Sequence, residues 1–149
     1  GFCLGNKPFK EKAEKIHREY RQHLVAAIKH VQEETEKIMG KNYAIINAKD
    51  NIKDTIIGTV ISIISHSPLY KEGTIIIALA YNKDKIKVSA RIAGREGRNV
   101  REILSKAILP IGGEVGGHPN AAGCLIEKEK ESQFITELQK ILEVELIKV

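Results

Sequence analysis

Residues 74–93 read TIIIALAYNKDKIKVSARIA, and this stretch decides the fold. Thr74–Tyr81 is an almost unbroken apolar run of strand length, the mark of a strand buried on both faces. Asn82-Lys83-Asp84 supplies the polar residues of a tight turn. Lys85–Ala93 then alternates, with Ile86, Val88, Ala90 and Ile92 on one face and Lys85, Lys87, Ser89 and Arg91 on the other. A fully buried strand paired to an alternating one belongs in a sheet flanked by helices.

The flanking segments complete that picture. Upstream, Tyr43–Asn47 is a second apolar run of strand length, and Thr55–Ser65 lies between Asp54, a candidate N-cap, and Pro68, which predicts a buried helix. Downstream, Asn99 caps a helix running to about Leu109, where Pro110 stops it. A glycine-rich loop follows, then a short strand near Cys124–Glu127 and an amphipathic helix over Glu129–Glu145. The order β-α-β-β-α-loop-β-α predicts an α/β domain with a mixed sheet. Ahead of it, Pro8–Met39 contains no glycine and repeats Phe9, Ala13, Ile16, Tyr20, Leu24, Ala27, Val31 and Ile38 at three- and four-residue steps, ending at Gly40. This reads as one long connecting helix. Its histidines, His17, His23 and His30, read as surface residues. The expected division is therefore 1–40 as linker helix and 41–149 as folded domain.

Composition narrows the function classes. No apolar run approaches the roughly 20 residues of a membrane-spanning helix. Two cysteines, Cys3 and Cys124, make no disulfide framework, so a reducing cytoplasm is the expected setting. The chain opens Gly1-Phe2-Cys3 and not with Met, which reads as a piece of something longer. Charge is more telling. Between Lys83 and Lys106 stand eight basic and three acidic residues, an excess equal to the net +5 of the whole chain. A basic patch that includes Lys87, Arg95 and Arg98 favours an anionic partner, nucleic acid first, against the alternative of a solvated surface with scattered lysines.

Two segments carry candidate chemistry. Gly112–Gly123 holds five glycines and two alanines, so bare amides are available to curl around an anion. His118 is the side chain there that can both donate to a phosphate and carry charge near neutral pH, and Pro119 restrains it toward an extended conformation. A plain glycine-rich turn would look similar. Ser89 and Arg91, two apart on a strand, point to one face and suit phosphate oxygens, or are simply an exposed polar face.

Ser89-Ala90-Arg91, a helix, and then Gly116-Gly117-His118-Pro119-Asn120-Ala121-Ala122-Gly123 resemble the DHH-associated domain of RecJ-like phosphoesterases. That family carries a Ser-x-Arg strand followed by a Gly-Gly-His-x-x-Ala-Ala-Gly loop. The resemblance runs from about Tyr43 to the C-terminus. Many relatives have a third glycine before the histidine; here Val115 stands in that place. The resemblance implies the substrate-binding half of a single-strand exonuclease. His118 would meet the phosphate at or next to the scissile bond, Gly116 and Gly117 would offer amides, Arg91 with Ser89 would hold the neighbouring phosphate or chain end, and Asn120 would join the substrate-binding set. It also implies a separate catalytic domain with an Asp-His-His motif and two divalent metals, usually manganese. This chain has only Asp50, Asp54 and Asp84 as aspartates, so no metal or other cofactor is expected within it. Implied partners are single-stranded DNA or RNA, the missing catalytic domain and, as in archaeal relatives, the GINS replication complex; no membrane is implied. The resemblance implies an archaeal source, and the Ile-, Lys- and Glu-rich composition suits a thermophile. Two rival readings share the fold: a phosphodiesterase half acting on short oligoribonucleotides or cyclic dinucleotides, and a non-catalytic protein-interaction module.

Overall fold

The computed structural model describes residues 2–33, 36–94 and 97–147, with the outermost side chains of both terminal helices excepted. Helix α1 (Phe2–Glu33) leads into strands β1 (Glu36–Met39) and β2 (Tyr43–Lys49). Helix α2 (Asp54–Ser65), the hairpin β3 (Ile75–Asn82) and β4 (Lys85–Ile92), and helix α3 (Val100–Ile108) follow. Strands β5 (Val115–His118) and β6 (Ala121–Glu127), a single 3-10 turn and helix α4 (Glu131–Ile147) complete the chain. The six strands form one mixed sheet in the order β1-β2-β3-β4-β6-β5. Only β2 and β3 run parallel, as a helix-connected crossover requires.

β3 is buried throughout its first six residues because helices cover both sides of it. Ile75, Ile77 and Leu79 join Val100, Ile103, Leu104, Phe134, Leu138 and Leu142 in a core under α3 and α4. Ile76, Ala78 and Ala80 join Ile57, Val60, Ile61 and Ile64 of α2, together with Ala27 and Val31 of α1. The small alanines on that face let α2 lie close to the sheet. In α4 the buried residues fall at four-residue steps, Phe134, Leu138 and Leu142, which is one stripe of a helix.

The mixed α/β architecture is as expected, with differences in detail. The long helix does not run to Met39. It ends at Glu33, and Glu36–Met39 adds an antiparallel edge strand to β2, with Ile38 opposite Ile45. A residue seven places after Val31 continues a helical stripe, but it also fits the inward position of a strand, and the sheet offered more burial. Gly40 then turns the chain, and the Tyr43 ring occupies the space that a Cβ there would need. Asp54 is the first residue of α2 and not its cap; Lys53 holds the cap position without a side-chain hydrogen bond. Asn99 does cap α3, accepting from the Glu102 amide at 3.0 Å. His17 and His23 are exposed and His30 is half-buried beside α2. Among the described residues no helix is long and apolar enough to cross a membrane.

Candidate functional site

The largest departure from the sequence reading lies in the glycine-rich segment. It is not a loop. Val115–His118 forms edge strand β5, hairpin-paired to β6 through the turn at Pro119-Asn120. Glycines carry little strand propensity, so the ladder to β6 supplies what the local sequence does not. Alternate amides of an edge strand point away from the sheet, so bare donors are still presented, in a row and not in a curl. The true turn lies earlier, at Gly112 and Gly113, whose φ values of +96° and +125° reverse the chain after α3. The Pro119 carbonyl accepts from the Val100 amide at 2.8 Å, which fastens the hairpin tip to the start of α3.

The strand register assembles the candidate residues. Arg91 stands opposite Ala121, which stands opposite His118; Ser89 stands opposite Gly123, which stands opposite Gly116. Directly opposed residues of antiparallel strands project to the same side. The intervening rows, Ala90-Ala122 and Val88-Cys124, belong to the core under α3 and α4, so the candidate rows face the other way. Arg91 and His118 thus flank Ala121 on one face, two strand spacings or about 10 Å apart. Lys87 occupies the next row, opposite Leu125, which is 49% exposed.

α2 forms the inner wall of this face. Ser89 is only 7% exposed because α2 passes over it at Gly58, where an added Cβ would sit 3.6 Å from the Ser89 hydroxyl oxygen. Sequence reading missed that wall; a lone glycine inside an isoleucine-rich helix was its one signal. Beyond α2 the face opens onto β6 and β5, with exposed His118 and Asn120 at the far side. The floor is bare for two different reasons. At Gly117, φ is +114° and a Cβ would collide with the Ala121 carbonyl oxygen; at Gly123 it would meet the Val88 carbonyl oxygen at 2.9 Å. The backbone therefore demands glycine there. At Gly116 a Cβ would touch nothing within 4 Å. The fold has no use for glycine at that position, whereas an approaching ligand would.

The cations of the basic window divide. Arg91 is half-buried and has no hydrogen bond or ion pair among the described residues, and Lys87 likewise has no ion-pair partner among them. Lys85 is committed to Glu127 across the β4–β6 ladder, which raises its pKa. Arg98 is held elsewhere: it donates to the Leu142 and Ile141 carbonyls of α4 at 3.1 and 3.4 Å. Arg95 lies outside the described residues. Cys124, on the core side of β6, is 8% exposed, and burial pushes its thiol up to about 12, so it is no nucleophile. Among the described residues no three His, Cys, Asp or Glu side chains converge to hold a metal ion. The metals implied by the resemblance therefore have no seat among these residues.

What this face can do is hold anions: an unpaired guanidinium, a hydroxyl, an imidazole and outward amides border a side-chain-free strip. The same architecture occurs in known structures. The C-Ala domain of Aquifex aeolicus alanyl-tRNA synthetase superposes with a TM-score of 0.57 at 12% identity, over 72% of this chain and 97% of that one. A pGpG-specific phosphodiesterase from Vibrio cholerae gives 0.57 at 20% identity, over 83% of this chain and 40% of that one. RecJ from Thermus thermophilus, determined with Mg2+, gives 0.63 at 15% identity, over 87% and 19%. This chain thus spans less than half the length of the latter two proteins. No curated protein sequence matches significantly. Residues 40–144, from the end of β1 into α4, match the DHHA1 domain, and the chain belongs to that family.

Proposed function

We propose that this domain is the substrate-holding half of a RecJ-like phosphodiesterase and grips single-stranded nucleic acid by its phosphates. The observation that carries the reading is the register that sets Ser89, Arg91, Gly116 and His118 on one face, Ser89 at the foot of the α2 wall and the others beyond it, with Arg91 unpaired among the described residues. Arg91 and Ser89 hold one phosphate, the guanidinium through two parallel N–H bonds and the hydroxyl through a third. The outward amides around Gly116 take the next, and His118 donates to the phosphoryl oxygen on which charge develops during cleavage. The reacting metals belong to a companion catalytic domain, for which helix α1 serves as the connection. RecJ and the pGpG-specific phosphodiesterase share the fold and support a phosphodiester substrate. The second of these favours an alternative within the same reading, in which the strand is a dinucleotide and not a polymer.

The test compares the affinity of the chain for single-stranded oligonucleotides with and without Arg91→Ala. The reading expects about tenfold weaker binding and a salt slope smaller by about one counterion. Unchanged affinity and slope would overturn it. A length series from dinucleotide upward, run on the enzyme with its catalytic domain, separates the polymer from the dinucleotide substrate.

A further inference from the structure

Off the end of β4, on the same side of the sheet as Ser89 and Arg91, lies a recess of about 330 Å³ lined by Ser65, His66, Ser67, Tyr70, Glu72 and Gly94. It has a fixed frame. The Gly94 amide donates to the Ser65 carbonyl at 3.1 Å, the Gly73 amide to the Ala93 carbonyl and the Ala93 amide to the Thr74 carbonyl, the last two at 2.8 Å. Gly94, with φ +83°, leaves room for Glu72, whose side chain would lie 2.5 Å from an added Cβ. The two serine hydroxyls are spent on backbone: Ser65 donates to the Ser62 carbonyl and Ser67 to the Ile64 carbonyl, each at 2.7 Å. The other three polar side chains keep at least one polar atom outside such backbone bonds. His66 Nδ1 lies 2.7 Å from the Ser62 carbonyl oxygen, which can only accept, so Nδ1 carries the proton and Nε2 is left as an exposed acceptor. Glu72 is an exposed carboxylate. Tyr70 is half-buried against the core that α2 covers and lines the recess, and its hydroxyl has no partner among the described residues. Burial raises the phenol pKa, so the hydroxyl stays a donor.

We infer that this recess is a nucleobase subsite, in which the base of the nucleotide attached to the Arg91-held phosphate stacks on Tyr70 and presents its N–H groups to His66 Nε2 and Glu72. A planar aromatic wall with two acceptors and one donor at its rim matches the face and edge of a base. It matches an isolated phosphate poorly, because Glu72 would repel it. Gly94 lies three residues beyond Arg91, about 10 Å along an extended chain, within reach of the attached nucleoside. The subsite rests on the phosphate reading above and adds to it a contact with the base.

The experiment walks a single abasic position along a short single-stranded oligonucleotide and measures binding to the chain and to its Tyr70→Ala, Tyr70→Phe and Arg91→Ala variants. One base stacked on an aromatic ring is worth about tenfold in affinity. The chain should lose about that factor when the abasic residue occupies one particular position. Tyr70→Ala should bind the intact strand about tenfold more weakly and no longer sense that position, while still binding the abasic strand as before, which also shows that it is folded. Tyr70→Phe, keeping the ring, should keep the position dependence. A flat abasic walk in the unmodified chain, or position dependence that survives Tyr70→Ala, overturns the subsite. Arg91→Ala distinguishes the two failures. If it weakens all strands while the walk is flat, the subsite alone is wrong; if it weakens none, the phosphate face is wrong as well.

Discussion

Gly116 and Gly117 are neighbours in sequence but should respond to alanine in opposite ways. At Gly117 the φ of +114° lies where an L side chain is strained, and the new Cβ would collide with the Ala121 carbonyl oxygen and come 2.7 Å from the Ala122 Cα. Neither contact is the tip of a flexible side chain, so the β5–β6 hairpin must open. Left-handed strain of about 1–2 kcal/mol and the displaced ladder together make about 3 kcal/mol a reasonable cost. At about 2–4 °C per kcal/mol for a chain of this size, Gly117→Ala should melt about 6–12 °C lower. Gly116→Ala adds a methyl group to open space and should leave stability within about 0.5 kcal/mol. That methyl group, however, projects onto the face shared with Ser89 and Arg91, where it would hold a phosphate off the outward amides. Losing one charge-assisted hydrogen bond costs about 1.5–3 kcal/mol, or roughly tenfold or more in oligonucleotide affinity. Thermal melts and oligonucleotide titrations of both variants read the two effects separately. Gly116→Ala with native stability and native affinity would refute the placement of phosphate on this face. Gly117→Ala with native stability would refute the backbone argument.

Arg98→Ala should lower stability by about 1–3 kcal/mol in urea unfolding, because it releases two α4 carbonyls, and should change the salt dependence of oligonucleotide binding less than Lys87→Ala does. Stability should fall as pH rises from about 9 toward 12: the unfolded Cys124 thiol ionises near its ordinary value while the folded one stays protonated to about 12, so the unfolded state binds fewer protons. The slope should approach about 1.4 kcal/mol per pH unit, with Tyr43 and Tyr70 adding in the same direction, and Cys124→Ser should flatten it. In amide exchange, residues 9–24 of α1 should open far more readily than β3, since the described core contacts of that helix begin at Leu24; equal strong protection in a monomer would contradict this. In an enzyme that includes the catalytic domain, His118→Ala should cut turnover about 10²–10³-fold while leaving the affinity of the isolated chain nearly unchanged.

Where period and burial agree, the sequence was readable. β3 and β4 were legible because one is apolar on both faces and the other alternates, and α3 because Asn99, Glu102 and Pro110 punctuate it. β1 was not, since Glu36-Lys37-Ile38-Met39 continues the spacing of the preceding helix and is drawn into the sheet only by the edge of β2. β5 was not, because Gly116 and Gly117 have no strand propensity of their own and their pairing depends on residues across the turn. For the site, Ser89, Arg91 and His118 could be named from spacing and motif. That they share a face could not, because it depends on the β4–β6–β5 register. The wall made by Gly58 and the diversion of Arg98 to α4 depend on tertiary packing that no local pattern encodes.

The most direct measurement is an amide chemical-shift map of the 15N-labelled chain titrated with a single-stranded oligonucleotide. The predicted result is a set of saturating shifts at Ser89, Arg91, Gly116, Gly117, His118 and Ala121, weakening as salt rises, with little change at Phe134, Leu138 and Leu142 beneath the opposite face. Shifts confined to α1 or α4, with the β4–β6–β5 face silent, would contradict the claim that this face holds the phosphates.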